Sequence, residues 1–221
     1  MLKKTDIYRD SKTWYSGLGT SVASQELLRF CRRSAGKRIL DLGCATGDYC
    51  LELSKLGYDC KGADINKEYV AAARKKGVDA SEAAPGERLP FEDNSFDTVL
   101  VFEVLEHVQD PEKLLREAKR VSAGNVLITV PDCGDRAELG GCKLVCEHFL
   151  ELDHVNFFTK ADLSALLAAN FPKFTVERGE PILIWNAGLP PWLRRAVSVL
   201  YRLGAFRAEL FNRLYAVAEK K

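Results

Sequence analysis

The chain has 221 residues, 47% of them hydrophobic, and 32 basic side chains against 31 acidic ones leave a formal net charge of +1. That length suits one large domain with a proper core, and the balanced charge excludes a global field that draws nucleic acid. No stretch approaches the ~18 apolar residues of a membrane span, and the N-terminal MLKKTDIYRDSKTW lacks a secretory apolar segment, which points to the cytoplasm. In that setting the seven cysteines are expected to be reduced thiols, with Cys31, Cys50 and Cys60 acting as small buried side chains.

In chain order, Val22 to Phe30 has helical spacing. Arg38 to Leu42 reads as a short strand carrying Asp41, followed by a glycine-punctuated turn and a helix from Asp48 to Leu56 that Gly57 closes. Tyr58 to Asp64 is predicted as a second strand, Lys67 to Lys76 as a helix closed by Gly77, and Val78 to Ala80 as a short third strand. Phe96 to Phe102 has the continuous apolar centre of a strand buried on both faces. Pro111 starts the helix PEKLLREAKRV at its favoured first position. Asn125 to Val130 is a fifth strand stopped by Pro131.

Strands alternating with helices at this rhythm predict an open, mostly parallel α/β sheet. Ligands in such sheets bind beyond the carboxyl ends of the strands, where strand order reverses, so Asp41, Asp64 and Phe102-Glu103 become the candidates. The turn Gly43-Cys44-Ala45-Thr46-Gly47 lacks the close glycine pair of G-x-G-x-x-G and the Lys-Ser/Thr of a P-loop. The ligand is therefore not expected to be held by phosphates. Asp64, ending the next strand, is placed to accept from two ribose hydroxyls, although an acid there also suits the helix N-terminus that follows.

As a set, these segments resemble class I S-adenosylmethionine-dependent methyltransferases of the type 11/12 kind. ILDLGCATGDY is similar to that family's first motif and GADINKEYV to its second. ERLPFEDNSFDTVLVFEVLEHVQDPEKLLREAKRV is similar to the following block, NVLITVPD to the fifth strand, and DHVNFFTKADLSALLAANF to the H-x-x-F-F-T/S and L-x-x-L-L pattern. The likeness covers about residues 36–180. It implies a Rossmann-like seven-stranded sheet, parallel with one antiparallel strand and flanked by helices, with Phe174–Ile184 and Leu214–Glu219 as the closing hairpin. It also implies S-adenosyl-L-methionine as cofactor, S-adenosyl-L-homocysteine as product, and a small-molecule or lipid- or glycan-linked acceptor.

Carried over position by position, backbone groups of Gly43, Cys44, Ala45 and Gly47 line the methionine portion, with Asp41 ordering the loop. Asp64 holds the ribose and Ile65 packs on the adenine. Glu87, beside Gly86, contacts the adenine edge, and Phe102 and Glu103 floor the site near the cofactor's amino group. His107 faces the acceptor and is the best candidate base, because its ordinary pKa lies near neutrality; packing at the strand–helix junction is the alternative. His154 and His148 are second choices. The sequence departs from the family in two places. Ala83-Ala84-Pro85-Gly86 stands where an acid is usual, and Val121 to Asn125 is a clipped version of a longer turn.

By this likeness residues 1–35 are expected to be an N-terminal helical lid, with Trp14-Tyr15 over the cofactor. Residues 36–221 are expected to form the domain, with inserts at about 131–155 and 186–212. Cys133, Cys142, Cys146 and His148 cluster in the first insert, but their spacing fits no standard zinc knuckle, so no metal is expected. In the second, Trp192, Ala196, Val199, Leu200 and Leu203 share one helical face beside Arg194, Arg195 and Arg202. Packing on its own domain or on a partner subunit is one reading, and contact with a membrane surface through about 190–205 is the other. A nicotinamide-dependent oxidoreductase and a non-catalytic cofactor-binding protein on the same fold stand as rival functions, and the loop spacing argues against the first. Nucleic acid is not expected as a partner.

Overall fold

The computed structural model describes residues 23–84, 87–134, 153–182, 190–205 and 210–221. In chain order the elements are α1 (Gln25–Ser34), β1 (Arg38–Leu42), α2 (Asp48–Lys55), β2 (Asp59–Asp64), α3 (Lys67–Lys75), β3 (Asp79–Glu82), β4 (Phe96–Phe102), a 3-10 turn (Leu105–His107), α4 (Pro111–Val121), β5 (Ser122–Pro131), α5 (Lys160–Asn170), β6 (Lys173–Ile182), α6 (Pro191–Arg202) and β7 (Leu210–Glu219). The strands form one sheet in the order β3-β2-β1-β4-β5-β7-β6. All neighbours are parallel except β7, which runs antiparallel to both β5 and β6.

Alternation along each strand divides the core between the two faces. Leu40, Leu42, Val99, Val101, Val126 and Ile128 pack with Leu114, Leu115 and Ala118 of α4 and Leu163 and Leu167 of α5. Ile39, Leu100 and Leu127 point the other way, against Leu27, Leu28 and Cys31 of α1, Cys50 and Leu53 of α2, and Val70 of α3. A sheet covered on both faces explains why β4 reads as a nearly unbroken apolar run.

Most boundaries lie within a few residues of expectation. The first helix starts at Gln25 rather than Val22, and the third strand runs over Asp79–Glu82. The clipped turn before the fifth strand is no turn at all, because α4 ends at Val121 and β5 begins at Ser122. β6 stops at Ile182, and β7 begins at Leu210 rather than Leu214. The described cysteines Cys31, Cys44, Cys50, Cys60 and Cys133 are all buried free thiols. No described helix is long and apolar enough to cross a membrane.

Among the described residues, three helices carry side-chain caps, α5 through the reciprocal pair Thr159 and Asp162. Asn66 accepts from the amides of Glu68 and Tyr69 at the head of α3, and Asp110 accepts from Lys113 at the head of α4. α2 has no side-chain cap; its N-cap is Gly47, in the left-handed region at φ 77°. That uncapped end faces the crevice between β1 and β4, where the chain turns from building the sheet outward through β2 and β3 to building it the other way.

Candidate functional site

The loop after β1 is folded back on β2. The amides of Gly43 and Cys44 both donate to the Ala63 carbonyl, at 2.8 and 3.1 Å, and the Gly47 amide donates to the Cys44 carbonyl at 2.8 Å. Ala45, itself at φ 45°, donates to Asp64 Oδ2 at 2.8 Å. The other Asp64 oxygen accepts from the Asn66 amide at 2.8 Å. One carboxylate therefore fixes both the glycine loop and the start of α3. Burial raises the Asp64 pKa, and the amides of Asn66, Ala45 and Ile65 oppose that shift. A carboxylate offers about four acceptor directions, so three backbone amides leave room for a ligand hydroxyl. Ile65 is half-buried beside it.

Gly43 sits at φ 87°, and a Cβ there would come within 2.5 Å of Val104 Cγ2. Strain and clash together should make Gly43→Ala destabilising by roughly 2–4 kcal/mol, read as a lowered urea midpoint at constant slope. Gly62 allows another close approach, since a Cβ there would meet the Cys44 thiol at 2.6 Å. The thiol of Cys44 thus packs into β2 and leaves only the backbone of this residue to line the crevice.

Asp41 is fully buried, with the Cys50 thiol 3.9 Å from Oδ2. Burial first, and the neighbouring Asp64 second, push its pKa from 3.8 up to about 7. The native carboxyl keeps its proton between about pH 4 and 7 while the unfolded one has lost it, so the free protein loses stability as pH rises through that window. Asp41→Asn should abolish this slope and, above pH 7, stabilise the free protein by roughly 2–4 kcal/mol, checked by urea unfolding at pH 5 and pH 8. Asp48, in the first turn of α2, bonds Thr46 Oγ1 at 2.7 Å and pairs with Lys76 at 2.7 Å. An acid at that helix end disfavours a phosphate there.

Beyond β4 the chain leaves the sheet through Glu103, at φ 53°. Phe102 is buried between Phe30 and Tyr49, with ring centroids at 6.1 and 5.8 Å. The Glu103 carboxylate accepts from Arg213 Nε at 3.0 Å. Arg213 also pairs with Glu180, which accepts from the Tyr215 hydroxyl at 2.5 Å and from the Asn212 amide at 3.1 Å. Burial works against charge in this cluster, yet Glu103 and Glu180 raise Arg213 and the Tyr215 hydroxyl lowers Glu180. Sequence reasoning missed Arg213, Glu180 and Tyr215, which carry no local motif and meet only through the β6–β7 hairpin.

The 3-10 turn holds the remaining candidate. His107 Nδ1 lies 3.6 Å from Asp153 Oδ2, and its ring meets that of His154 at 4.6 Å between centroids. The segment bearing Asp153 and His154 is latched onto this turn. The amides of Val155 and Asn156 donate to the Glu106 carbonyl at 2.8 and 3.0 Å, and the Asn156 side chain donates to the carbonyls of Leu105 and Val108 at 2.9 and 2.6 Å. Burial outweighs the Asp153 charge and lowers the His107 pKa to about 4, so the ring is neutral and a weaker base than a free imidazole. Glu106, His107 and His154 also present ligand-type atoms within 4.8 Å of one another, a set that chemistry would let hold a cation.

Glu87 is exposed and its amide donates to the Ala84 carbonyl at 3.1 Å. Gly86 lies outside the described residues, as do Trp14, Tyr15, Cys142, Cys146 and His148. Cys133 is buried, its amide on the Phe158 carbonyl at 2.9 Å.

Residues 40–128 match the family described as "Methyltransferase domain". This segment, under half of the chain, carries its likeness to class I methyltransferases. The chain is similar to norajmaline N-methyltransferase of Rauvolfia serpentina, 37% identical over 105 residues, which are 42% of this chain and 35% of that protein. Demethylmenaquinone methyltransferase of Corynebacterium glutamicum is 33% identical over 97 residues, 44% of this chain and 42% of that one. The chain thus spans well under half the length of these curated relatives. A crystallised SAM-dependent methyltransferase from Archaeoglobus fulgidus superposes with a TM-score of 0.65 over 90% of this chain and 95% of its own, at 20% identity, a likeness that shows the methyltransferase fold.

Proposed function

We propose that the crevice between β1 and β4 binds S-adenosyl-L-methionine and that the chain directs its methyl group to a small-molecule or lipid- or glycan-linked acceptor. The observation that carries the reading is the Asp64 carboxylate, which ends β2 and holds the Ala45 amide of the glycine loop at 2.8 Å. The crevice also suits the charge of such a ligand. Asp41 and Asp64 lie close enough to raise the Asp41 pKa, a repulsion that a sulfonium cation relieves, and Asp48 disfavours phosphates.

When bound, the cofactor supplies a methyl group already activated on positive sulfur. The residues of this chain have the rest of the work: alignment, exclusion of water and removal of one proton. Asp64 orients the ribose, and Ile65 offers an apolar side for the adenine. Gly43, Cys44, Ala45 and Gly47 shape the backbone wall, with Asp41 behind it. Glu87, with Gly86 before it, serves the adenine edge, and Phe102 and Glu103 close the floor. His107 would take up the acceptor's proton at a ring nitrogen. No metal takes part in this reading.

Two measurements test it together. S-adenosylhomocysteine should raise the melting temperature and NADH should not. Labelled cofactor, incubated with extracted metabolites and lipids in the presence of a chelator, should label at least one acceptor. Stabilisation by NADH alone would overturn the reading. Cofactor binding with no transfer to any acceptor pool would reduce the chain to a cofactor-binding protein, and rescue of chelated enzyme by a divalent cation would assign Glu106, His107 and His154 to metal.

A further inference from the structure

α6 leaves its apolar side open. Among the described residues, the large hydrophobics exposed to solvent are Leu56, Trp192, Val199, Leu200 and Leu203, and all but the first belong to α6 or its C-cap. Trp192 is 69% exposed and Leu203 76%. Trp192, Ala196, Val199 and Leu203 follow one another at i, i+4, i+7 and i+11, a single stripe along the helix. Leu193, Val197 and Tyr201, on the adjoining side, are half-buried.

The charge of the segment is one-sided. Between Glu180 and Glu209 the sequence has no acidic residue, while it carries Arg194, Arg195, Arg202 and Arg207. The chain as a whole is balanced at +1, so this is a local excess. A second copy of the same helix would bring like charges together around a short stripe. An anionic surface complements them, and an exposed tryptophan suits the boundary between headgroups and acyl chains.

We propose that α6 docks this protein on an anionic lipid bilayer, the Trp192–Leu203 stripe entering the headgroup boundary and the exposed Arg195 meeting lipid phosphates. The helix departs from the carboxyl end of β6 and returns at the start of β7, where Ile182 pairs with Leu210. β6 runs parallel to β5 and β4, so this is the sheet edge that also carries the loop after β1 and the His107 turn. Docking turns that edge toward the bilayer, and an acceptor carrying a lipid anchor meets the crevice there. The docking stands by itself; the consequence for the acceptor rests on the methyl-transfer reading.

The test is co-sedimentation of the full chain with vesicles of phosphatidylcholine alone or mixed with phosphatidylglycerol, at rising salt. The protein should sediment with the mixed vesicles at low salt and be released as salt rises. Trp192→Ser combined with Leu203→Ser replaces exposed side chains only and should abolish sedimentation without changing the melting temperature. Arg195→Glu should weaken binding to the anionic vesicles by roughly tenfold or more. Failure to sediment, equal binding to both vesicle types, or unchanged binding by the Ser/Ser variant would overturn the proposal. Self-association in solution that the Ser/Ser variant abolishes, with no vesicle binding, would assign the face to a second copy. Vesicle binding with no methyl transfer would sink the functional reading and leave the docking intact.

Discussion

Asp64→Ala should weaken S-adenosylhomocysteine binding by about 100-fold or more, measured by titration calorimetry on protein whose unfolding still shows one cooperative transition. A charge-assisted hydrogen bond to the ribose would be lost, worth about 1.5–3 kcal/mol. The Ala45 amide would lose its partner as well, so the loop should loosen along with the ligand site. Asp64→Asn separates these effects, because it keeps an acceptor for the loop amide and gives up the charge. Its amino group then faces the Asn66 amide, so it should lose part of the stability, and it should fall between parent and Asp64→Ala in affinity. Unchanged affinity in Asp64→Ala would remove the ribose assignment.

His107→Ala should cut turnover by about 10²–10⁴-fold while leaving cofactor affinity within about twofold. That split separates a proton acceptor from a packing residue, whose loss would lower stability and binding together. The pH dependence carries a second signature. With its pKa lowered to about 4, the ring is neutral throughout the usual assay range, so turnover should lack a histidine limb near pH 6.5. Stability should show one instead. As pH falls from about 6.5 to 4 the unfolded histidine takes up a proton that the native ring refuses, so the native state loses stability over that window and the loss levels off below it. In His107→Ala that part of the slope should vanish.

The parallel half of the sheet was legible because its signals are local. β4 shows an unbroken apolar centre at Phe96–Phe102, and α4 begins at Pro111 behind a capping aspartate; both occupy the residues expected. Strand-end acids could be named for the same reason, since Asp41 and Asp64 close short apolar runs. The hairpin was harder. β7 opens with Leu-Phe-Asn-Arg, where Arg213 is a strand residue only because Glu103, 110 positions away, and Glu180 neutralise it. A pairing at that separation leaves no periodicity to read. Asp153 was overlooked likewise, as an acid beside a more conspicuous histidine, although it faces His107.

The seam at Val121 and Ser122, where a helix becomes a strand with nothing between them, belongs to a wider asymmetry. On that edge of the sheet α2 passes to β2 through Leu56 to Tyr58, α3 to β3 through Lys76 to Val78, and α5 to β6 through Phe171 and Pro172. The opposite edge carries the long connections, from Pro131 to Lys160 and from Ile182 to Leu210. Insertions there cost the chain little, since loop entropy grows slowly with length, whereas at the seam the one extra residue of β5 is already taken up as an irregularity between Ser122 and Asn125, opposite Phe96 and Thr98. The fold therefore has a rigid keel and a freely editable deck. Descendants of this sequence can rewrite the deck while the loop after β1 stays as it is.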